Sequence, residues 1–473
     1  MTDQASSKLG LLPLTALVVG GIVGSGIFSL PQNMAEGAGA GAILIAWVIT
    51  FVGMLALAKV FQWLSLNRTD IGDGVYGYAR AGFGDYLGFS AAWGYWISAW
   101  VGSTGYLVVI FSALGAFGAL AFFGDGTTPA ALAGQLAVLG LMHYLVLRGV
   151  KSAAFLNVVV TTAKMVPLVL FILCVAMAFR VDTFRVDFWG SAALGSLTDQ
   201  IKNTMLYTVW VFLGIECATV YATRARSLVD VSRATMLGFT ITMLLLVCVS
   251  VLSLGVVPQE QLAAMKNPSM AGVMAAAVGP WGGALMNLGL IVSVGGALLA
   301  WTMLAAEMLY LAGRGNSHTA PAVFGRLNAA EAPASSLWLT NSLVAVLLVI
   351  NCINNAGYNL LIQLASSLCL IPYFLCAAFG LKTATRPGTQ AGAFLVTSAV
   401  ATLYGAWLIY AGGLSFLLMS MILYAPGIAF FVYARRERGL PAFVTGVEKG
   451  FAGLIVTLAL VALYMIASGQ LAL

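Results

Sequence analysis

Gly20-Gly21-Ile22-Val23-Gly24-Ser25-Gly26-Ile27 occupies the middle of an apolar run over residues 11–36. Four glycines in seven residues, 20–26, weaken a helix, since each Gly costs about 1 kcal/mol relative to Ala in a helix interior. Gly24 lies ~20 Å along the axis from the start of the run. A break at that depth frees backbone N–H groups where lipid offers no partner, and irregular backbone is tolerated there only when it lines a cavity. Freed N–H groups, together with the positive end of the half-helix that follows, suit a carboxylate. Close helix packing through small residues accounts for this segment equally well by itself. A nucleotide fingerprint does not: the GxGxxG spacing and its flanking strand are missing.

The chain around the segment is built for lipid. Its 473 residues are 61% apolar and 8% charged, against about 25% charged in ordinary soluble chains, and the mean hydropathy is +0.98. Soluble enzymes, nucleic-acid binders and secreted disulfide scaffolds are excluded. Apolar runs cover residues 11–36, 40–66, 86–123, 129–147, 152–179, 203–223, 235–256, 281–311, 337–353, 358–379, 391–409, 415–433 and 451–468. A helix needs about 20 apolar residues to cross the hydrocarbon layer, whereas membrane β-strands need about 10 in alternation. The expectation is therefore an all-α membrane protein of about 13 transmembrane helices.

Basic residues orient it. Lys8, Arg68, Arg80, Arg148, Lys151, Arg224, Arg314, Arg326 and the run Arg435-Arg436-Glu437-Arg438 fall on one set of alternate loops. Arg180, Arg185, Lys202 and Lys266 fall on the other. By the positive-inside rule the N-terminus is cytoplasmic, and 13 spans would leave the C-terminus periplasmic. The net charge of +6 is thus a topology signal. All six cysteines lie within spans and read as small buried hydrophobes. His143 and His318 have no acidic partner nearby in sequence, so no metal site and no cofactor are expected.

A second interruption, Trp210-Val211-Phe212-Leu213-Gly214-Ile215-Glu216, comes five spans after the first and at equivalent depth. Two interrupted helices in corresponding positions are the mark of an inverted repeat with a site at its interface. Residues 1–10 then form a tail, 11–180 the first repeat, 181–380 the second, and 381–473 three appended spans.

Ionisable residues inside spans cost about 2.5–3.5 kcal/mol at a helix centre and mark function by default. Lys164 is ~18 Å from the cytoplasmic end of its span, too deep to snorkel easily. Function is favoured over the plain alternative, a tether to backbone carbonyls. Glu216 beside the second interruption reads as a substrate or proton group rather than a merely buried acid. Glu307 fits an ion pair with Arg314 as well as chemistry, and Lys59 reads as a snorkeller. Trp210 and Trp301 lie at pocket depth, where an indole face stacks on a cation. Tyr95, Trp96, Trp100 and Ser103 line one stretch of the third span.

The break at 20–28, followed by Ser29-Leu30-Pro31-Gln32-Asn33, resembles the amino acid–polyamine–organocation superfamily. The Trp210–Glu216 segment and residues 80–84 resemble its basic amino acid/polyamine antiporter branch. The 203–216 wording and the thirteenth span are most similar to the bacterial arginine/ornithine antiporters. The likeness covers essentially the whole chain.

It implies a core of five plus five inverted helices and alternating access around a midplane site in the cell inner membrane. It also implies that Ser25 and Gly26 meet the substrate carboxylate, with Gly24 among the substrate-binding residues. Backbone carbonyls of Ile22, Trp210 and Leu213 would hold the α-amino group. Trp210 would cover the substrate and Trp301 underlie it, with Tyr95, Glu216 and Tyr373 at gating positions. Lys164 would stand where some members bind a coupling sodium ion. Ser103, Gly21 and Ala365 depart from the exchangers that read a guanidinium, which carry amide or hydroxyl side chains there.

The function expected is antiport of a cationic amino acid, arginine for ornithine, with no enzymatic step. The rivals are a proton-coupled importer and an exchanger of lysine, histidine or polyamines. Small amino acids and the lipid bilayer are the expected partners, nucleic acid is not, and a homodimer is left open.

Overall fold

The computed structural model describes residues 10–71, 73–149, 153–216, 226–314, 318–386 and 392–471. Among them every long regular element is a helix. α1 (Leu11–Ile22) and α2 (Gly26–Gly37) make the first span and α3 (Ala40–Asn67) the second. A short α4 (Gly74–Phe83) precedes α5 (Asp85–Gly115), and α6 (Pro129–Leu147) and α7 (Ala153–Ala178) follow. The small α8 (Val181–Arg185) leads to α9 (Leu197–Trp210), beyond which residues 217–225, including Cys217 and Arg224, lie outside the described residues. Lys8 and Lys151 also lie outside them. Next come α10 (Leu228–Ser253), the short α11 (Gln259–Ala263) and α12 (Ser269–Val278), then α13 (Pro280–Gly313) and α14 (Ala334–Asn354). The last four are α15 (Gly357–Ala384), α16 (Gly392–Ala411), α17 (Leu414–Glu437) and α18 (Gly446–Ala467).

Among the described residues ten helices are long and apolar enough to cross a membrane, and α1 with α2, bent by 44°, supplies an eleventh. The third span is shorter than the apolar run that announced it. α5 stops at Gly115 and a 3-10 turn, Gly118–Phe123, takes up the rest. The stop has a steric cause: a Cβ on Gly115 would stand 2.3 Å from the Gly124 carbonyl oxygen, so the chain folds back against itself there.

The chain divides into two compact units. The first is drawn from Met1–Asn67, Tyr106–Gly134 and Lys151–Leu298. In it α1 packs on α7 and α10, while α2 packs on α9, α10, α11 and α12. Small residues set these approaches: Gly238 of α10 admits Val18 of α1, where a Cβ would be 2.4 Å from Val18 Cγ1. Polar ties also cross the apolar packing. Trp47 Nε1 donates to Ser250 Oγ at 2.8 Å, which removes the cost of a buried unsatisfied donor, about 1–3 kcal/mol.

The second unit is drawn from Arg68–Gly105, Gln135–Val150 and Leu299–Leu473. Here α15 packs on α4, α16 and α17, and α17 on α18. Tyr424 of α17 lies over Gly94 and donates to the Leu368 carbonyl at 2.8 Å. A charged clamp joins helix ends: Asp85 accepts from Arg80 Nε at 2.7 Å and from Arg435 Nη1 at 2.8 Å. Glu448, 2% exposed, closes a capping box with Thr445 at the start of α18. It also accepts the Tyr86 N–H of α5 at 3.0 Å. One carboxylate therefore satisfies donors at two helix N-termini.

Candidate functional site

The first unit contains both helix interruptions. α1 ends at Ile22, and Val23 leaves helical geometry with φ −76° and ψ 89°. α2 restarts at Gly26 with Ser25 as its N-cap. The last carbonyls of α1 lack intrahelical donors, and Lys164 of α7 supplies them. Its Nζ donates to the Gly20 carbonyl at 2.8 Å and the Val23 carbonyl at 2.5 Å. The side chain is 1% exposed. An ammonium at the negative end of a half-helix is the favourable arrangement. The tether to backbone carbonyls thus exists, and it grips the break itself.

The second interruption begins where α9 ends at Trp210 and runs as tight turns to Glu216. Leu213 N–H donates back to the Val209 carbonyl at 3.1 Å and Ile215 N–H to Phe212 at 3.2 Å. Gly214 holds φ +103°, a conformation side chains rarely adopt, and a Cβ there would stand 2.7 Å from the Gly21 carbonyl oxygen. The two interruptions therefore touch backbone to backbone. Gly26 is equally constrained: a Cβ would be 2.7 Å from Val211 Cγ1 and 2.8 Å from Trp210 Cδ1. Glu216 is buried at 6% exposure, at the end of these turns.

Ile22, Gly24, Ser25, Gly26, Trp210, Leu213, Glu216 and Lys164 thus gather in the first unit. Tyr106 joins them without having been expected from the sequence. Its ring meets Trp210 edge-on, with centroids 5.6 Å apart and planes at 67°. Its hydroxyl sits where a Cβ on Gly24 would be, at 2.6 Å. The signal available was its spacing, three residues beyond Ser103 on the same helix.

The second unit holds the other expected residues. Tyr95 and Trp301 stack with centroids 6.2 Å apart and planes at 20°. Ser103 is buried and donates to the Ala99 carbonyl of its own helix at 2.8 Å. Ala365 offers its carbonyl to Ser98 Oγ at 2.7 Å. Tyr373 is buried beside the in-helix Pro372 of α15. Arg314 pairs with Asp73 at 2.7 Å and is also within electrostatic reach of Glu307. Lys59, in the first unit, is exposed.

Chemically, the first unit offers a helix start next to an indole, carbonyls at two chain interruptions and one buried lysine amine. That combination suits the zwitterionic end of an amino acid.

Residues 9–439 match the family model described as Amino acid permease. A Pseudomonas aeruginosa protein named Arginine/ornithine antiporter is 49% identical over 100% of both chains. A Putative arginine/ornithine antiporter of Escherichia coli K12 is 45% identical, covering 97% of this chain and 99% of its own. An Arginine/agmatine antiporter of Chlamydia abortus is 39% identical, over 100% of this chain and 99% of its own.

Proposed function

The chain belongs to the amino acid permease family, and on that premise we propose that it is a secondary active antiporter of cationic amino acids. It takes up arginine and releases ornithine by alternating access across the inner membrane. The observation that carries this reading is the start of α2 at Ser25 and Gly26, opening directly against the Trp210 indole. Full-length identity to proteins named for arginine/ornithine exchange supports it.

The substrate carboxylate binds the first-turn N–H groups of α2, where the helix dipole favours an anion. The α-amino group is held by the carbonyls of Ile22, Trp210 and Leu213, and Trp210 covers the ligand. The family resemblance adds Tyr95, Ser103 and Trp301 as contacts, with Tyr373 and Glu216 as gates. Residues 11–180 and 181–380 are the two inverted repeats, 381–473 are appended, and the N-terminus faces the cytoplasm. Lys164 stands where the family resemblance puts a lysine in place of a coupling sodium ion, so exchange needs no sodium. Arginine and ornithine carry equal charge, so the swap is electroneutral and involves no covalent step.

The test is labelled arginine uptake into proteoliposomes preloaded with ornithine or with buffer alone, at matched pH. Uptake only with ornithine inside is the expected result. Equal uptake in empty vesicles would overturn exchange in favour of a coupled importer.

A further inference from the structure

The motif Ser29-Leu30-Pro31-Gln32-Asn33 lies on α2 beyond the break and is buried throughout. The site leaves it unused, since the residues given to the substrate on this helix end at Gly26. Pro31 stands inside α2, where it has no N–H for the Ile27 carbonyl and its ring loosens the ladder around it. Ser269, the first residue of α12, is fully buried against this point. Its hydroxyl accepts the Gln32 N–H at 3.0 Å and donates to the Ser29 carbonyl at 3.1 Å.

The side chains extend the same joint. Gln32 Nε2 donates to the carbonyl of Ala263, the last residue of α11, at 3.1 Å. Asn267 Nδ2 donates to Gln32 Oε1 at 2.9 Å and to Asn33 Oδ1 at 3.1 Å. Gln259, the first residue of α11, donates from Nε2 to the Ala35 carbonyl at 2.6 Å. Residues 259–269 are therefore tied to α2 at their start, middle and end. Backbone N–H, side-chain N–H and side-chain oxygen of Gln32 each take one of these ties, at 5% exposure. A buried amide that loses its partners is costly, so the joint favours movement of both parts together.

We propose that Gln32 is a positioning residue for exchange: it fastens the 259–269 segment to α2, so that the segment moves with α2 whenever a ligand at the break turns that half-helix. The proposal rests on the exchange reading, which puts the substrate carboxylate at Ser25 and Gly26. Gln32 is ~10 Å along α2 from Ser25. Val23, just before the half-helix, is outside helical geometry, and a few such residues are enough to absorb a rotation. α2 then acts as a lever, with the ligand at its inner end and the segment at its outer end.

The experiment has two arms, both on the full-length protein in proteoliposomes. In the first, hydrogen exchange of the 259–269 amides is followed without ligand and with saturating arginine, beside ornithine-driven arginine uptake. Wild type, Gln32→Met and Ser269→Ala are compared. Arginine is expected to change the wild-type exchange rate of this segment about 3-fold or more. In Gln32→Met that response is lost and kcat falls about 10-fold. Its arginine KM stays within about two-fold, because Ser25 and Gly26 are untouched. Ser269→Ala falls between. A packing role alone would speed exchange in the segment and keep the arginine response. That result overturns the proposal, as does a Gln32→Met protein with wild-type kcat.

The second arm does not depend on a Gln32 variant folding. Glu36→Cys on α2 and Gln259→Cys on α11 are joined by a short bifunctional thiol reagent. Parts that travel together tolerate the link, so arginine uptake is expected to match that of the unjoined double variant. Uptake blocked by joining overturns the proposal. The ornithine dependence of wild-type uptake scores the exchange reading separately, because both arms read arginine-driven motion whether or not a counter-substrate is needed.

Discussion

Lys164 and Arg435 are both buried cations, and their surroundings differ in kind. Lys164 is held by two backbone carbonyls that are available because the helix between α1 and α2 is broken. Arg435, 6% exposed, is held by the Asp85 carboxylate at 2.8 Å and the Pro441 carbonyl at 3.0 Å. Asp85 is in the first turn of α5 and Arg435 in the last turn of α17, so each charge also sits at the helix end that favours it. The Arg435 pair would persist through any motion that leaves those helix ends in place. The Lys164 pair would not survive straightening of the first span, because straightening returns its carbonyls to the helix. One cation is a clamp, and the other is coupled to the shape of the backbone it grips.

The sharpest test of that difference removes each charge in turn. Lys164→Met leaves two buried carbonyls without a donor, at about 1–3 kcal/mol each. Ornithine-driven arginine uptake is expected to fall about 100-fold, equivalent to ~2.7 kcal/mol of barrier. The comparison breaks if this variant exchanges at the wild-type rate.

A second prediction stays in the first unit. Gly24→Ala pushes a methyl onto the Tyr106 hydroxyl and should cost about 10-fold in exchange, ~1.4 kcal/mol. Adding Tyr106→Phe removes the obstructing oxygen and should restore most of the rate, a positive coupling in a double-mutant cycle. Purely additive losses would mean that the Tyr106 hydroxyl does not constrain the break.

Arg435→Met should behave in the opposite way to Lys164→Met. Removing one partner of a buried pair costs about 3–5 kcal/mol, but Asp85 is 27% exposed and keeps Arg80. About 1–2 kcal/mol of destabilisation is expected, read as a fall of a few degrees in Tm, with exchange within three-fold of wild type. A rate loss exceeding that of Lys164→Met would invert the comparison.

The smallest effect concerns pH near the Arg435 clamp. His318, in the loop after α13, bonds Arg438 Nη1 through Nδ1. Burial, then Arg438, Arg435 and Arg80, push its pKa below 6.5. A histidine held neutral contributes stability that is fully present above about pH 6.5 and is lost as pH falls toward the lower folded value, because the unfolded chain takes up the proton first. Between pH 7.5 and 5.5 the wild type should therefore lose more Tm than His318→Gln. Equal losses would mean that His318 contributes no pH-dependent stability.

Much of the first unit was legible because lipid makes its costs visible. Glycines massed at the midplane, a lysine too deep to snorkel, and a Gly-Ile-Glu turn five spans later each violate a rule that only a cavity or a site excuses. What was hidden is how they meet. Nothing in the sequence says which carbonyls Lys164 grips, since Gly20 and Val23 are 144 and 141 residues away. Tyr106 was passed over because a tyrosine on a membrane helix is unremarkable until its hydroxyl is seen against Gly24. In the second unit the depth of Tyr95 and Trp301 was readable, but their stacking on each other was not. The third span was overestimated because hydropathy continues past Gly115, whereas the helix stops where two glycine backbones touch.

The buried carboxylate of Glu448 carries a different kind of consequence. The family model ends its match at residue 439, before α18 begins, whereas the likeness to the Pseudomonas aeruginosa protein covers the whole chain. Glu448 at the head of α18 accepts the Tyr86 N–H of α5, and Gly84 leaves the room it needs, a Cβ there standing 2.8 Å from Glu448 Oε1. Through this one carboxylate the start of α5 depends on the start of α18. Deleting α18 strands a donor at the head of the helix that carries Tyr95.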